Sequence, residues 1–429
     1  MRNKPTTRRE ALALLAQGAA WLAPATMLGG CSISGAGLGS TAALPPGGPN
    51  GATGNGSGPA VGAPVDPAKA ALLLPLGGSV QLAVVAKGLK QAAELALFER
   101  NITALQLAVR DDKGTPEGAA AAATQAIADG AEVILGPLLG TSVAAVAPIA
   151  RKAGVPVIGF SNDAANGGHG VHLLSFFPAE EASRVAAYAS NQGRRTFAAL
   201  IPDDALGRDV EPAFRSAVQQ SGGRVALVEH YAANLNGMTE PSQRVVEAIR
   251  SSADSDQPID ALFLPSSGDN VPRLVAMIRH HALDTSRVKL IITSGWDNPA
   301  ALREPRLASA WLAAPDIRGW NELSARFAKA YNAMPPRLAS LAYDAVTVAS
   351  AFATQPKGQR YTPANLMRES GYGGIDGLFR LTTRGPVERS LAVLEIQPQG
   401  LVVVDPGQGF APVPGGRPSG IVDAPVARG

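Results

Sequence analysis

Glu132-Val-Ile-Leu-Gly-Pro-Leu-Leu-Gly-Thr-Ser142, a helical stretch to Lys152, and then Gly154-Val-Pro-Val-Ile-Gly-Phe-Ser161 decide the fold of this chain. Val133–Leu135 and Val155–Ile158 are short, continuous apolar runs bounded by Gly and Pro. Strands of that kind bury both faces, which is the habit of a parallel sheet covered by helices. The helix between them ends at Gly154, the residue that best adopts a left-handed cap. The same rhythm extends upstream. Ala71–Leu74 reads as a strand, 81–100 as a helix and Leu105–Val109 as a strand. Thr115-Pro116-Glu117 places a cap and a first-turn proline on a helix reaching Asp129.

Downstream the rhythm starts again. A helix is expected over Ala182–Asn191, a strand over Phe197–Ile201 and a helix over Asp209–Gln220. Further strands are expected at Val225–His230, Ala261–Leu264 and Leu290–Ile292, with a helix over Val271–His281 between the last two. Two blocks of alternating strand and helix, about 340 residues in all, are too long for one core. The sequence therefore implies an α/β protein of two doubly wound parallel-sheet lobes with a cleft between them.

The first thirty residues read as a targeting segment. Arg2, Lys4, Arg8 and Arg9 precede an apolar stretch from Ala11 to about Leu28, and Leu28-Gly29-Gly30-Cys31 follows. That order marks a secretory signal, and the last four residues resemble the bacterial lipobox, whose cysteine is acylated. The apolar stretch is shorter than the roughly 20 residues of a membrane span and contains Pro24. Thr7-Arg8-Arg9-Glu10 also resembles a weak twin-arginine signal, so the export route stays open. Cys31 is the single cysteine, so stability must come from the core and not from a disulfide.

The formal charge of +3 belongs to the signal. Without residues 1–30 the chain carries 34 basic and 34 acidic residues. A neutral chain has no electrostatic footprint for nucleic acid, and no DNA-binding helix pair precedes the core. From Ser32 to about Pro67 the composition is Gly, Pro, Ala, Ser and Asn, which cannot offset its ordering entropy. A flexible tether of that length spans roughly 5–6 Å × √n, some tens of ångströms. The expected organisation is a signal over 1–30, a lipidated tether over 31–68, lobe 1 over 69–179, lobe 2 over 180–312, a return to lobe 1 over 313–382, a return to lobe 2 over 383–404 and a disordered tail over 405–429.

Taken in order, several segments resemble the type I periplasmic binding proteins, the leucine-binding-protein-like group. They are the two opening stretches, Ile201-Pro-Asp-Asp-Ala-Leu-Gly207, Tyr343-Asp-Ala-Val346 and Ile375-Asp-Gly-Leu-Phe-Arg380. The resemblance covers about residues 69–404. It implies three crossings between lobes, near Pro178, Trp311–Pro315 and Thr382–Gly385. Ala71-Leu-Leu-Leu-Pro-Leu76 and Gly136-Pro-Leu-Leu139 bring the chain nearest to the penicillin-binding-protein activators, lipoproteins that stimulate a cell-wall synthase. The alternative is a solute receptor that serves an ABC permease. Ser32, where inner-membrane retention uses Asp, makes the outer membrane the expected anchor.

Ligands of open parallel sheets bind beyond the carboxyl ends of the strands. The candidate cleft residues are Ser79, Thr141, Ser142, Ser161, Asn162, Asp204, Ser266, Trp296 and Asp297. In the amino-acid binders, first-lobe Ser/Thr loops hold the ligand carboxylate and a second-lobe acid holds its ammonium, roles that match Ser142, Ser161 and Asp297. Gly140-Thr141-Ser142 would cap a helix and offer free N–H groups. Two departures argue against a standard amino-acid pocket. Leu206 stands where a Tyr is usual, and Asn162-Asp163 replaces small residues. Ser, Thr and Asp after strands also serve as ordinary caps. No catalytic set is visible: there is no Gly-x-Ser-x-Gly elbow and no Gly-Lys-Ser/Thr phosphate loop. His169 and His172 lack partners for a metal site, and His280-His281 point to different helix faces. Neither an enzymatic activity, a metal nor a cofactor is expected.

Overall fold

The computed structural model describes residues 66–410 except 233, 267–269, 282, 295–304 and 408. The expected signal, Cys31 and the tether up to residue 65 lie outside the described residues. In the first half, strands β1 (Ala68–Leu74), β2 (Leu105–Asp111), β3 (Val133–Leu135), β4 (Val157–Gly159) and β5 (Val171–Leu173) alternate with helices α1 (Val80–Glu99), α2 (Pro116–Ala128) and α3 (Gly140–Ala153). They form one parallel sheet in the order β2-β1-β3-β4-β5. The register places Ala70 beside Val133 and Ile134 beside Val157. Every residue of β3 and β4 is buried, as their unbroken apolar runs require.

The second half repeats the order. Helix α4 (Pro178–Asn191) leads to β6 (Thr196–Pro202), α5 (Ala205–Gln220), β7 (Arg224–Tyr231), α6 (Leu235–Ser252), β8 (Ala261–Leu264), α7 (Asn270–His280), β9 (Lys289–Ile292) and β10 (Trp311–Ala314). After α8 (Ile317–Tyr331), α9 (Ala339–Ser350) and α10 (Pro363–Leu366) come β11 (Tyr372–Gly374), β12 (Gly377–Arg380), β13 (Glu388–Arg389), β14 (Ala392–Gln397) and β15 (Gly400–Asp405). The large sheet runs β15-β14-β10-β9-β8-β6-β7, and β14 and β15 are its antiparallel edge. Its β7-β6-β8-β9-β10 part has the strand order of the first sheet. Alternate residues of β6 face opposite ways: Phe197, Ala199 and Ile201 enter one core, Ala198 and Leu200 the other. β11, β12 and β13 form a small antiparallel sheet.

The cores locate the crossings. Phe177 belongs to the first lobe's core and Ala182 to the second's; Ala314 to the second and Leu323 to the first; Val387 to the first and Leu391 to the second. The third crossing therefore follows Arg389 and does not lie at Thr382–Gly385. Pro386 bridges to Leu173 at the edge of the first sheet, and β13 pairs with β12, which keeps the chain in lobe 1 for several more residues.

Other boundaries shift for similar reasons. Helix α4 starts at Pro178 because a first-turn proline has no intrahelical N–H to lose. Helix α6 was hidden in the sequence by Gly237 and Pro241; Asn234 caps it through Gly237 N at 2.9 Å. The fold begins before residue 69: Ala68 opens β1, and the Asp66 carbonyl accepts from the buried Arg360 guanidinium. Ordered chain also runs past 405, into Gly407 and Phe410. No helix among the described residues is long and apolar enough to cross a membrane.

Candidate functional site

The carboxyl ends of both parallel sheets meet at a cleft of about 480 Å³. Lobe 1 contributes Leu82 and Val85 from α1, Leu138 and Leu139 from the turn into α3, and Phe160 after β4. Lobe 2 contributes Leu206 at the start of α5 and the hydroxyls of Ser266, Thr293 and Ser294 beyond β8 and β9. The volume suits a small organic ligand.

Three of the residues expected from the sequence come together here. Ser161 is nearly buried, and its Oγ accepts from Asp163 N at 3.1 Å. Asn162 stands beside it on the cleft wall. Ser266 lies opposite, buried, and accepts from the Tyr231 hydroxyl at 3.2 Å. Burial pushes that phenol up to about 12, so it remains a donor. Ser266 and Thr293 exchange two hydrogen bonds, Ser266 N to Thr293 Oγ1 at 3.2 Å and Thr293 Oγ1 to the Ser266 carbonyl at 2.9 Å, which fixes the ends of β8 and β9 together.

The others are placed differently. Ser79 and Asp204 act as caps, accepting from Leu82 N at 3.4 Å and Gly207 N at 3.0 Å. Neither is among the cleft-lining residues. Gly140-Thr141-Ser142 is not a cap: α3 already begins at Gly140, with Leu139 as a cap residue that makes no side-chain hydrogen bond. Thr141 is exposed, and Ser142 is buried inside the helix with an Oγ that makes no hydrogen bond among the described residues. Trp296 and Asp297 lie outside the described residues.

The sequence reading missed Glu181. It is 3% exposed, lines the cleft, and accepts from Ser294 Oγ at 2.7 Å and Ser294 N at 3.3 Å. Pro178-Ala-Glu-Glu181 was the available signal: a proline followed by acids marks a first helical turn, where carboxylates are stabilised by the free N–H groups. Glu181 is the only ionisable side chain among the described residues that line the cleft. Phe176, also on the cleft wall, was missed as well. Its ring lies 4.5 Å from the Arg337 guanidinium and 4.9 Å from that of Arg389. Arg337 pairs with the fully buried Asp376 at 2.6 Å, and Arg389 Nε donates to the Ser175 carbonyl at 2.9 Å. The first and third crossings are thus stitched together behind the cleft. Among the described residues no cluster of His, Cys, Asp and Glu is arranged to hold a metal.

A family model described as "Periplasmic binding protein" matches residues 67–400. Among solved structures, a branched-chain amino acid ABC transporter periplasmic ligand-binding protein from Burkholderia xenovorans LB400 aligns with a TM-score of 0.64 at 17% identity, covering 80% of this chain and 97% of that one. An ABC transporter substrate-binding protein from Desulfitobacterium hafniense in complex with Leu aligns at 0.57 and 18%, covering 79% and 99%. A solute-binding protein of an ABC transporter from Rhodopseudomonas palustris BisB5 in complex with 3,4-dihydroxybenzoic acid aligns at 0.56 and 19%, covering 79% and 96%. At these identities the likeness is one of fold. No curated protein sequence matches significantly.

Proposed function

This chain belongs to the periplasmic binding protein family, and from that premise we propose that it is a non-catalytic solute receptor that closes on a small ligand and delivers it to an ABC permease. The family places it in the cell envelope, outside the cytoplasm. The observation that carries the receptor reading is the cleft itself: about 480 Å³ where two parallel sheets converge, with apolar walls, hydroxyls from both lobes and one buried carboxylate. The ligand has a largely apolar body and one or two polar groups. The solved relatives named for branched-chain amino acids, leucine and a hydroxylated benzoic acid support a ligand of that size. Cys31 is the proposed lipid anchor, with the outer membrane as its site.

The other reading, an activator of a cell-wall synthase, draws on Ala71–Leu76 and Gly136–Leu139. Leu72, Leu73 and Leu74 are fully buried in β1, and Leu138 packs into the same core. Those residues account for the fold and say nothing of a partner, so we rank the permease first.

A thermal-shift screen with branched-chain amino acids, their amides, aliphatic amines and benzoic acids tests the receptor reading. A ligand at a hundredfold excess over Kd stabilises by about 2.7 kcal/mol, a shift of several degrees. A shift that Leu206→Ala and Ser266→Ala both reduce is expected. Silence across the whole panel, with a penicillin-binding synthase captured by the lipoprotein, would refute it.

A further inference from the structure

The edge of the lobe 2 sheet does not end the ordered chain. Asp405, the last residue of β15, is held by Arg184 of α4 at 2.8 Å. The chain then crosses the hinge. Gly407 is packed so tightly on the β13–β14 linker that a methyl group on it would stand 2.5 Å from Ser390 Oγ and 2.9 Å from the Ser390 carbonyl. Phe410 arrives in lobe 1: its Cε2 lies 2.8 Å from where a methyl on Gly371 would be, and the Arg380 guanidinium sits 4.7 Å from its ring centre. Gly371 precedes β11 and Arg380 ends β12 of the small sheet, whose Tyr372 and Phe379 belong to the first lobe's core.

Phe410 also lines a cavity of about 520 Å³ with Glu180, Ser183 and Arg184 of α4 and Ala217 of α5 in lobe 2, and with Glu388 and Arg389 of β13. Glu180 faces this cavity, whereas its neighbour Glu181 faces the cleft. The two cavities therefore lie on different sides of the same helical turn, with the hinge between them.

We propose that the contacts of Asp405, Gly407 and Phe410 make a strap behind the hinge, a fourth tie between the lobes that narrows the range of angles they can adopt. Three covalent crossings alone leave a hinge free to turn through changes in a few backbone angles. A strap anchored by an ion pair at one end and a half-buried ring contact at the other adds a restraint that any rotation must stretch or compress.

Spin labels on Lys87→Cys of α1 and Arg208→Cys of α5, in the full chain with Cys31→Ser, report the lobe-to-lobe distance by pulsed electron resonance without ligand. The intact strap gives one narrow distribution. Phe410→Ala and removal of residues 408–429 are each expected to lose that narrow peak to a broader one, while Phe410→Tyr keeps it. Arg184→Gln cuts the strap at its other end and is expected to broaden the distribution in the same way. Melting temperature separates a freed hinge from an unfolded lobe. An unchanged width in the two Phe410-side variants and in Arg184→Gln overturns the proposal.

Discussion

Asp344→Asn makes the sharpest test of the energetics behind the cleft. Asp344 lies in α9 and is 1% exposed. Its Oδ1 accepts from Ile375 N at 2.9 Å, while Oδ2 makes no hydrogen bond among the described residues. Burial, and then the charge of Asp376, raise its pKa from 3.8 to about 7; the Ile375 N–H and Arg389 pull the other way without prevailing. The folded protein therefore holds this proton more tightly than the unfolded chain does. The carboxyl favours folding fully below pH 3.8, and that contribution is lost as pH rises through about 7. Three pH units at about 1.4 kcal/mol each put the loss near 4 kcal/mol at pH 8. Asparagine keeps the acceptor for Ile375 and cannot ionise. Urea denaturation at pH 4, 6 and 8 should show the variant close to the parent at pH 4 and more stable by up to about 4 kcal/mol at pH 8. A remaining slope is expected from Asp112 and Glu180, which burial raises to about 6 and about 7. Parallel pH profiles for variant and parent, or a variant weaker than the parent at pH 8, would refute this account and mean that Asp344 is ionised and paired in the fold.

Three further outcomes are expected. Gly136→Ala puts a methyl 2.2 Å from the Leu73 carbonyl at a φ of +82°, and should cost about 3 kcal/mol or more, read as a fall in melting temperature. Arg360→Met removes the 2.5 Å partner of Glu132 and should cost about 3–5 kcal/mol by chemical denaturation; adding Glu132→Gln should restore much of it. Glu181→Gln should weaken amine-bearing ligands about tenfold, roughly 1.4 kcal/mol, in titration calorimetry while leaving neutral apolar ligands unchanged.

The alternation of strand and helix was legible because parallel strands buried on both faces must be written as unbroken apolar runs; Val133–Leu135 and Ala261–Leu264 carry that signature. Ser161 and Ser266 were legible because loops after such strands point at the cleft. Glu181 was not, because taking Ala182 as the start of α4 left it in a loop. Placing the third crossing at Thr382–Gly385 missed β13, whose two residues are too short for any period to show. Phe410 was hidden in a Gly/Pro-rich tail. Such composition argues against a segment folding by itself, but it does not forbid one ring from docking on a surface that the rest of the chain has already built.

Within the receptor reading, two residues that depart from the amino-acid binders bear on the ligand's chemistry. Leu206 lines the cleft, so that wall offers contact area and no hydroxyl. Asp163 caps the short turn over Ala164–Asn166, and its Oδ2 lies 3.2 Å from where a methyl on Gly140 would sit. Gly140 is the first residue of α3, whose free N–H groups would otherwise attract an anion. A fixed carboxylate beside them offsets that attraction and repels a second one. Glu181 adds a second carboxyl, on the opposite wall. A ligand's carboxylate thus loses favourable ground on one side and meets an acid on the other, whereas an amide or amine meets neither penalty. Within the receptor reading, leucinamide should therefore bind more tightly than leucine, and Asp163→Asn should narrow the difference by restoring the anion-attracting end of α3. Equal affinities for the two in the parent chain would show that Asp163 does not act on the cleft.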